Sequence, residues 1–170
     1  RMLEEAGLVR QEKNRGVFVR SIPLDEAMEI FDLRALMDEA VGRRLAEHIT
    51  PEQLRQVRSM VEAMEKAVKA GDADGYHLLN LDFHDKLVAF SGNRKLTAIY
   101  RRLINELSLF RRMNLADAKL LPISASEHRA IVKAIAAGDA ELAGRAMRQH
   151  VMDSKDRTLR NNSPQAPEAA

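Results

Sequence analysis

From Leu24 onward the chain divides into six segments in which apolar residues recur every three or four positions, separated by residues that start and stop helices. No other property constrains the fold as much, because each segment then carries one apolar stripe that only other stripes can cover, and the solution is a helical bundle around one core. Asp25 and Glu26 place acids in the first turn of the first helix, which is expected to run to about His48. Thr50-Pro51-Glu52-Gln53 supplies an N-cap, a first-turn proline and a capping-box glutamine, and Leu54, Val57, Val61, Met64 and Val68 form the stripe of the second helix. Gly71-Asp72 ends that helix and opens the third, whose stripe contains Tyr76, Leu79, Phe83 and Leu87 and stops at Ser91-Gly92-Asn93. Leu96, Ile99, Leu103, Leu107 and Phe110 mark the fourth. After the break at Leu121-Pro122, Ser124-Ala125-Ser126-Glu127 predicts a capping box for a fifth helix bearing Ile131, Val132 and Ile135. Gly138-Asp139 closes it and begins the sixth, with Ala143, Ala146, Met147 and Val151 inward. The expectation is an all-α antiparallel bundle of six, or at most seven, helices over residues 24–160, with a disordered tail at 161–170.

Residues 1–23 read differently. Residues 1–5 resemble a helix end stopped by Gly7, and Leu8-Val9-Arg10 and Val17-Phe18-Val19 predict two short strands joined across Lys13-Asn14-Arg15-Gly16. This stretch holds Arg1, Arg10, Lys13, Arg15 and Arg20 against Glu4, Glu5 and Glu12, so it carries the whole net charge of +2, while residues 24–170 are neutral. A basic hairpin after a helix end has the shape of a nucleic-acid-binding wing, since phosphate neutralisation supplies most non-specific affinity; an ordinary solvated turn has the same composition. The chain has no cysteine, which excludes disulfides and thiolate metal sites and leaves histidine, carboxylate and amide as metal ligands. No apolar run reaches the roughly 20 residues that cross a bilayer, and a soluble cytoplasmic protein with no membrane partner is expected.

The polar residues inside the stripes carry the chemistry. On the third helix Asn80 and His84 lie one turn apart on the inward side, His128 leads the stripe of the fifth, and His150 sits among Ala146, Met147 and Val151 on the sixth. A buried imidazole left without a partner costs about 1–3 kcal/mol. Facing helices of a bundle commonly meet that need by building a metal or cofactor site, for which neutral imidazole is the commonest ligand. Separate hydrogen bonds in the core, or positions at a stripe edge in water, would satisfy the same histidines. His77 lies near the same face and is a further pocket candidate. Arg34, between Phe31 and Leu36, could be a buried cation for an acidic ligand or a surface arginine with its stem on the core. His48 is placed where a cation meets a helix C-terminus and is read as structural.

Taken together, Leu33-Arg34-Ala35-Leu36, Asn80-Leu81-Asp82-Phe83-His84, Ser91-Gly92-Asn93, Glu127-His128-Arg129-Ala130-Ile131, Gly138-Asp139 and Ala146-Met147 with His150 resemble the FCD effector domain of FadR-branch GntR transcription regulators. Met2-Leu3-Glu4-Glu5-Ala6-Gly7-Leu8-Val9 followed by Arg15-Gly16-Val17-Phe18-Val19 resembles the end of that family's recognition helix and its wing. The resemblance implies a dimeric, ligand-controlled repressor whose bundle binds a small organic acid beside a divalent metal, zinc or nickel. It implies His84, His128 and His150 as metal ligands, with Asn80 standing where the family often has aspartate, and Arg34 as an effector contact, to which the face shared with Asn80 and His84 adds His77 as a candidate. It also implies operator contacts from Arg1, Lys13, Arg15 and Gly16, made by a complete DNA-binding head. That head needs two helices ahead of the recognition helix, in which this sequence begins. Asparagine offers a neutral carbonyl in place of a carboxylate, and Met37 stands where the family commonly has an acid. A hydrolase using a three-histidine centre, with Glu127 as its base, and a helical interaction module without a site are the rival readings.

Overall fold

Helices form where the stripes and stop signals place them: α1 Leu24–His48, α2 Pro51–Ala70, α3 Ala73–Phe90, α4 Arg94–Asn114, α5 Leu121–Ala136 and α6 Ala140–Asn162. The computed structural model describes residues 9–12, 15–19, 22–114 and 120–162. The second helix begins with the predicted reciprocal cap, in which Thr50 Oγ1 accepts from the Gln53 amide and Gln53 Oε1 from the Thr50 amide. Gly71 ends that helix at φ 69°, a left-handed conformation that glycine adopts without a Cβ penalty. Asp72 then caps α3 by accepting from the Gly75 amide at 2.8 Å. Connections of two or three residues join α1 to α2, α2 to α3, α3 to α4 and α5 to α6, which turns successive helices back on one another.

The longest helix, α1, is the spine of the bundle; it packs most extensively along α6 and also meets α3, α4 and α5. Gly42 permits that approach: a Cβ there would sit 2.6 Å from the Ala143 carbonyl oxygen. The main core gathers Val57, Val61 and Met64 of α2, Phe83 and Leu87 of α3, Ile131 and Ile135 of α5, and Met147 of α6. Each large side chain removed from water in this way stabilises the fold by about 1.5–3 kcal/mol. A second cluster of Phe31, Ala35, Leu107 and Val151 closes the other end, and the three inward histidines lie in the same buried interior.

Three boundaries differ from the sequence reading. The fifth helix begins at Leu121 with Pro122 in its first turn, so Ser124–Glu127 builds no cap, and the Glu127 carboxylate turns to His150 and Arg157 instead. On α4 it is Tyr100, 2% exposed, that faces inward, while Ile99 is 57% exposed; the stripe follows Leu96, Tyr100, Leu103 and Leu107 because the Tyr100 hydroxyl has a buried partner in Arg34. Helix α6 continues through Asn161 and Asn162, two residues into the predicted tail.

The predicted strands form an antiparallel hairpin, Val9–Glu12 (β1) with Gly16–Val19 (β2), pairing Val9 with Val19 and Glu12 with Gly16. Gly16 adopts φ 107°, which explains glycine at that corner. Among the proposed DNA contacts Arg15 and Gly16 fall on this turn and are exposed, whereas Arg1 and Lys13 lie outside the described residues, as do the helix end read at residues 1–5 and the remainder of the tail.

Candidate metal and ligand site

Helices α3, α5 and α6 each send one imidazole to a common interior point. His84 Nε2 lies 3.3 Å from His128 Nε2 and 3.2 Å from His150 Nε2, and all three side chains are buried. A tetrahedral ion bound at about 2.0–2.1 Å holds neighbouring donor nitrogens roughly 3.3–3.4 Å apart, so the spacing fits a zinc-like ion. Among the described residues these three are the group of histidines and carboxylates whose ligand atoms fall within 4.8 Å of one another. Asn80, one turn before His84 on the same face of α3, has a buried Oδ1 that accepts no hydrogen bond, a neutral oxygen donor of the kind a cation would use.

The atoms behind the imidazoles set their orientation. Glu127 Oε2 accepts from His150 Nδ1 at 2.6 Å, and Arg157 grips the same carboxylate through Nη1 at 2.7 Å and Nη2 at 3.0 Å. With its proton on Nδ1, His150 presents an unprotonated Nε2 to the cluster, as a histidine ligand requires. Burial works to raise the pKa of Glu127, but the hydrogen bonds from His150 and Arg157 outweigh it and bring it to about 2. Such a carboxylate takes up no proton near neutrality, which argues against Glu127 as the base of a hydrolase. His128 Nδ1 lies 3.4 Å from the Tyr76 hydroxyl, and burial pushes that phenol up to about 12, so it stays neutral. The Phe83 ring packs against His128 at a centroid distance of 4.9 Å and walls the cluster on the core side.

Burial lowers the pKa of both His128 and His150, reinforced by the positive charges of Arg34 and Arg157, while Glu127 pulls His150 the other way. The folded state therefore resists protons that the unfolded chain takes up below the ordinary histidine pKa of 6.5. Stability from this source is present above about pH 6.5 and drains away as pH falls. Chelator-treated protein is expected to lose thermal midpoint progressively from pH 7 to pH 5 in a calorimetric series; a flat profile over that range would contradict the burial of these imidazoles.

Beside the histidines opens a cavity of about 450 Å³ whose lining includes His84, Arg34, Tyr100, Leu81 and Ile104. Arg34 is 2% exposed, its Nε shared between Asp38 Oδ2 and the Tyr100 hydroxyl, both at 3.1 Å, and its Nη1 is buried without a hydrogen bond. The structure thus brings His84, His128, His150 and Arg34 to one place, with Asn80 one turn before His84 on α3. His77 is half-buried on α3 and is not among the residues lining the cavity, and His48 is exposed in the last turn of α1. Sequence reasoning missed Asp38, Tyr100 and Arg157 and gave Glu127 a different role. Spacing held some of the signal, since Asp38 is one turn from Arg34 and Arg157 two turns from His150.

The fold is an all-helical bundle with a three-histidine cluster beside a cavity lined by a buried arginine. Residues 29–153 match the FCD domain, and the chain belongs to that family of GntR-type transcription regulators, which are not enzymes. It is 29% identical over 162 residues to a protein of Paenarthrobacter nicotinovorans described as a probable D-xylose utilization operon transcriptional repressor, covering 95% of this chain and 71% of that one. It is 26% identical to the HTH-type transcriptional regulator YdhC of Bacillus subtilis (strain 168), covering 89% of this chain and 66% of the relative. Among solved structures, a GntR protein of Streptococcus agalactiae superposes with TM-score 0.65 at 25% identity over 91% of this chain and 77% of that one. E. coli McbR/YncC shares the fold with TM-score 0.82 at 15% identity, over 94% of this chain and 80% of that one. Among the described residues no helix is long and apolar enough to cross a membrane.

Proposed function

We propose that this chain is the effector-binding and dimerising part of a cytoplasmic, ligand-responsive repressor. In this reading His84, His128 and His150, with the Asn80 carbonyl, hold a divalent ion, zinc or nickel, and Arg34 receives a small carboxylate metabolite in the adjoining cavity. The observation that carries it is the meeting of three Nε2 atoms, 3.2 and 3.3 Å apart about His84, at the wall of a cavity that also contains a buried guanidinium. The bound ion would supply a Lewis-acidic position for a carboxylate oxygen. Glu127 and Arg157 keep His150 turned toward it, and Tyr100 and Asp38 keep Arg34 extended into the cavity.

The regulatory step requires two arrangements of the dimer that bind the effector with different free energies, since equal affinity for both would shift nothing. Leu33 and Leu36 on α1 and Ile99 on α4 are exposed apolar side chains that a second copy would cover in this reading. Two complete N-terminal heads held by such a dimer would read a two-fold operator, with Arg15 and Gly16 of the wing, together with Arg1 and Lys13, contacting phosphates. Full-length protein equilibrated with nickel or zinc and a small carboxylate should hold about one ion per chain by elemental analysis. A panel of small carboxylates should then change its retention on an operator selected from random duplexes. Retention that no carboxylate alters, with the ion present, would remove effector control from this reading.

A further inference from the structure

The charges around the histidine cluster are already matched. Asp38 lies against Arg34 at 3.1 Å, Glu127 is held in a two-point grip by Arg157 at 2.7 and 3.0 Å, and Asp85 at the cavity wall is held in the same way by Arg101 at 2.6 and 2.8 Å. The three-histidine group offers imidazole nitrogens, and Asn80, one turn before His84, offers an amide oxygen that accepts no hydrogen bond; all of them are neutral when they ligate. A divalent ion placed there would keep its full double positive charge in a buried setting, where an uncompensated charge is costly. The Arg34 Nη1 group is buried without a hydrogen-bond acceptor, on a side chain that lines the neighbouring cavity, where an anion would accept from it.

From this we infer that metal and anion bind this pocket as mutually dependent partners: the ion is held weakly by the protein alone and tightly once an anionic ligand supplies the missing charge. The inference rests on the metal-and-carboxylate reading above and deepens it. Linkage makes the dependence reciprocal, so the ion raises the affinity for the anion by the same factor. Such a pocket reports the coincidence of metal and carboxylate and responds weakly to either one separately. Asn80 is the residue that sets this behaviour, because a carboxylate at its position would provide the charge from within the protein.

The test uses the full chain, nickel as the metal and acetate as the anion, acetate being a poor chelator in solution. Nickel affinity is measured by competition with a chromophoric chelator in acetate and in chloride at equal ionic strength. Acetate is expected to tighten nickel binding to the wild type by about tenfold or more, within the usual range of coupling between two ligands. Asn80→Asp should bind nickel about tenfold more tightly than wild type in chloride and gain much less from acetate. Wild-type binding that is tight in chloride and indifferent to acetate would overturn the coupling while leaving the metal site intact, and this arm decides the matter even if Asn80→Asp folds poorly. Absence of nickel binding in either salt would overturn the metal reading and the coupling together.

Discussion

Replacing Arg34 by methionine is expected to destabilise the fold by about 3–5 kcal/mol, the usual cost of removing one member of a buried ion pair. The side chains of Arg34 and Asp38 are 2% and 1% exposed, and the guanidinium is the cation that compensates the Asp38 carboxylate 3.1 Å away. Methionine retains the volume of the stem but leaves the carboxylate's charge in the interior without the cation beside it. The Tyr100 hydroxyl loses its donor in the same change. Adding Asp38→Asn to Arg34→Met should recover a large part of the loss, because the charge is then removed from both sides. Urea unfolding of the two single variants and the double variant measures the cycle. A loss below about 1 kcal/mol for Arg34→Met would mean that the pair behaves like an exposed one.

The second large effect is on metal binding. His84 is the hub of the cluster, with its Nε2 within 3.3 Å of both other imidazoles, so His84→Ala removes the donor that the other two share as a neighbour. Loss of a hydrogen bond behind a ligand costs about 10–100-fold in metal affinity, and loss of the ligand itself should cost about a hundredfold or more. His77→Ala is the matched control, since His77 lies on the same helix but does not line the cavity, and its nickel or zinc affinity should equal that of wild type. Equilibrium dialysis with elemental detection reads both variants. Equal losses at the two positions, or no loss at His84, would detach the cluster from metal binding.

Family membership sharpens what these measurements mean. The P. nicotinovorans relative extends beyond the 71% that this chain matches, and regulation of DNA belongs to the whole protein. In the function proposed above, the bundle is the part that recognises the ligand. Its cavity is lined from α1, α3 and α4, and the histidine cluster adds one side chain each from α5 and α6, so a ligand that drew Arg34 and the histidines together would act on almost every helix of the bundle at once. That breadth is what a sensor needs if a small molecule is to bias the arrangement of a dimer.

The order of six helices, the caps at Thr50 and Asp72, the stop at Gly71 and the inward placement of His84, His128 and His150 are all written in local spacing. They are legible because helix periodicity and capping depend on residues within one or two turns of each other. The sequence by itself therefore determined the helices and the inward placement of these three imidazoles, each of which needs a partner there. Only the tertiary structure decided who satisfies them: that Glu127 leaves its apparent cap to bind His150 and Arg157, that Tyr100 displaces Ile99 from the inner face, and that Arg34 meets Asp38 and Tyr100 beside a cavity. The reason is physical. These partners come from helices as far as 66 residues apart in the chain, and the gain from pairing a buried charge outweighs the local preference that periodicity and caps express.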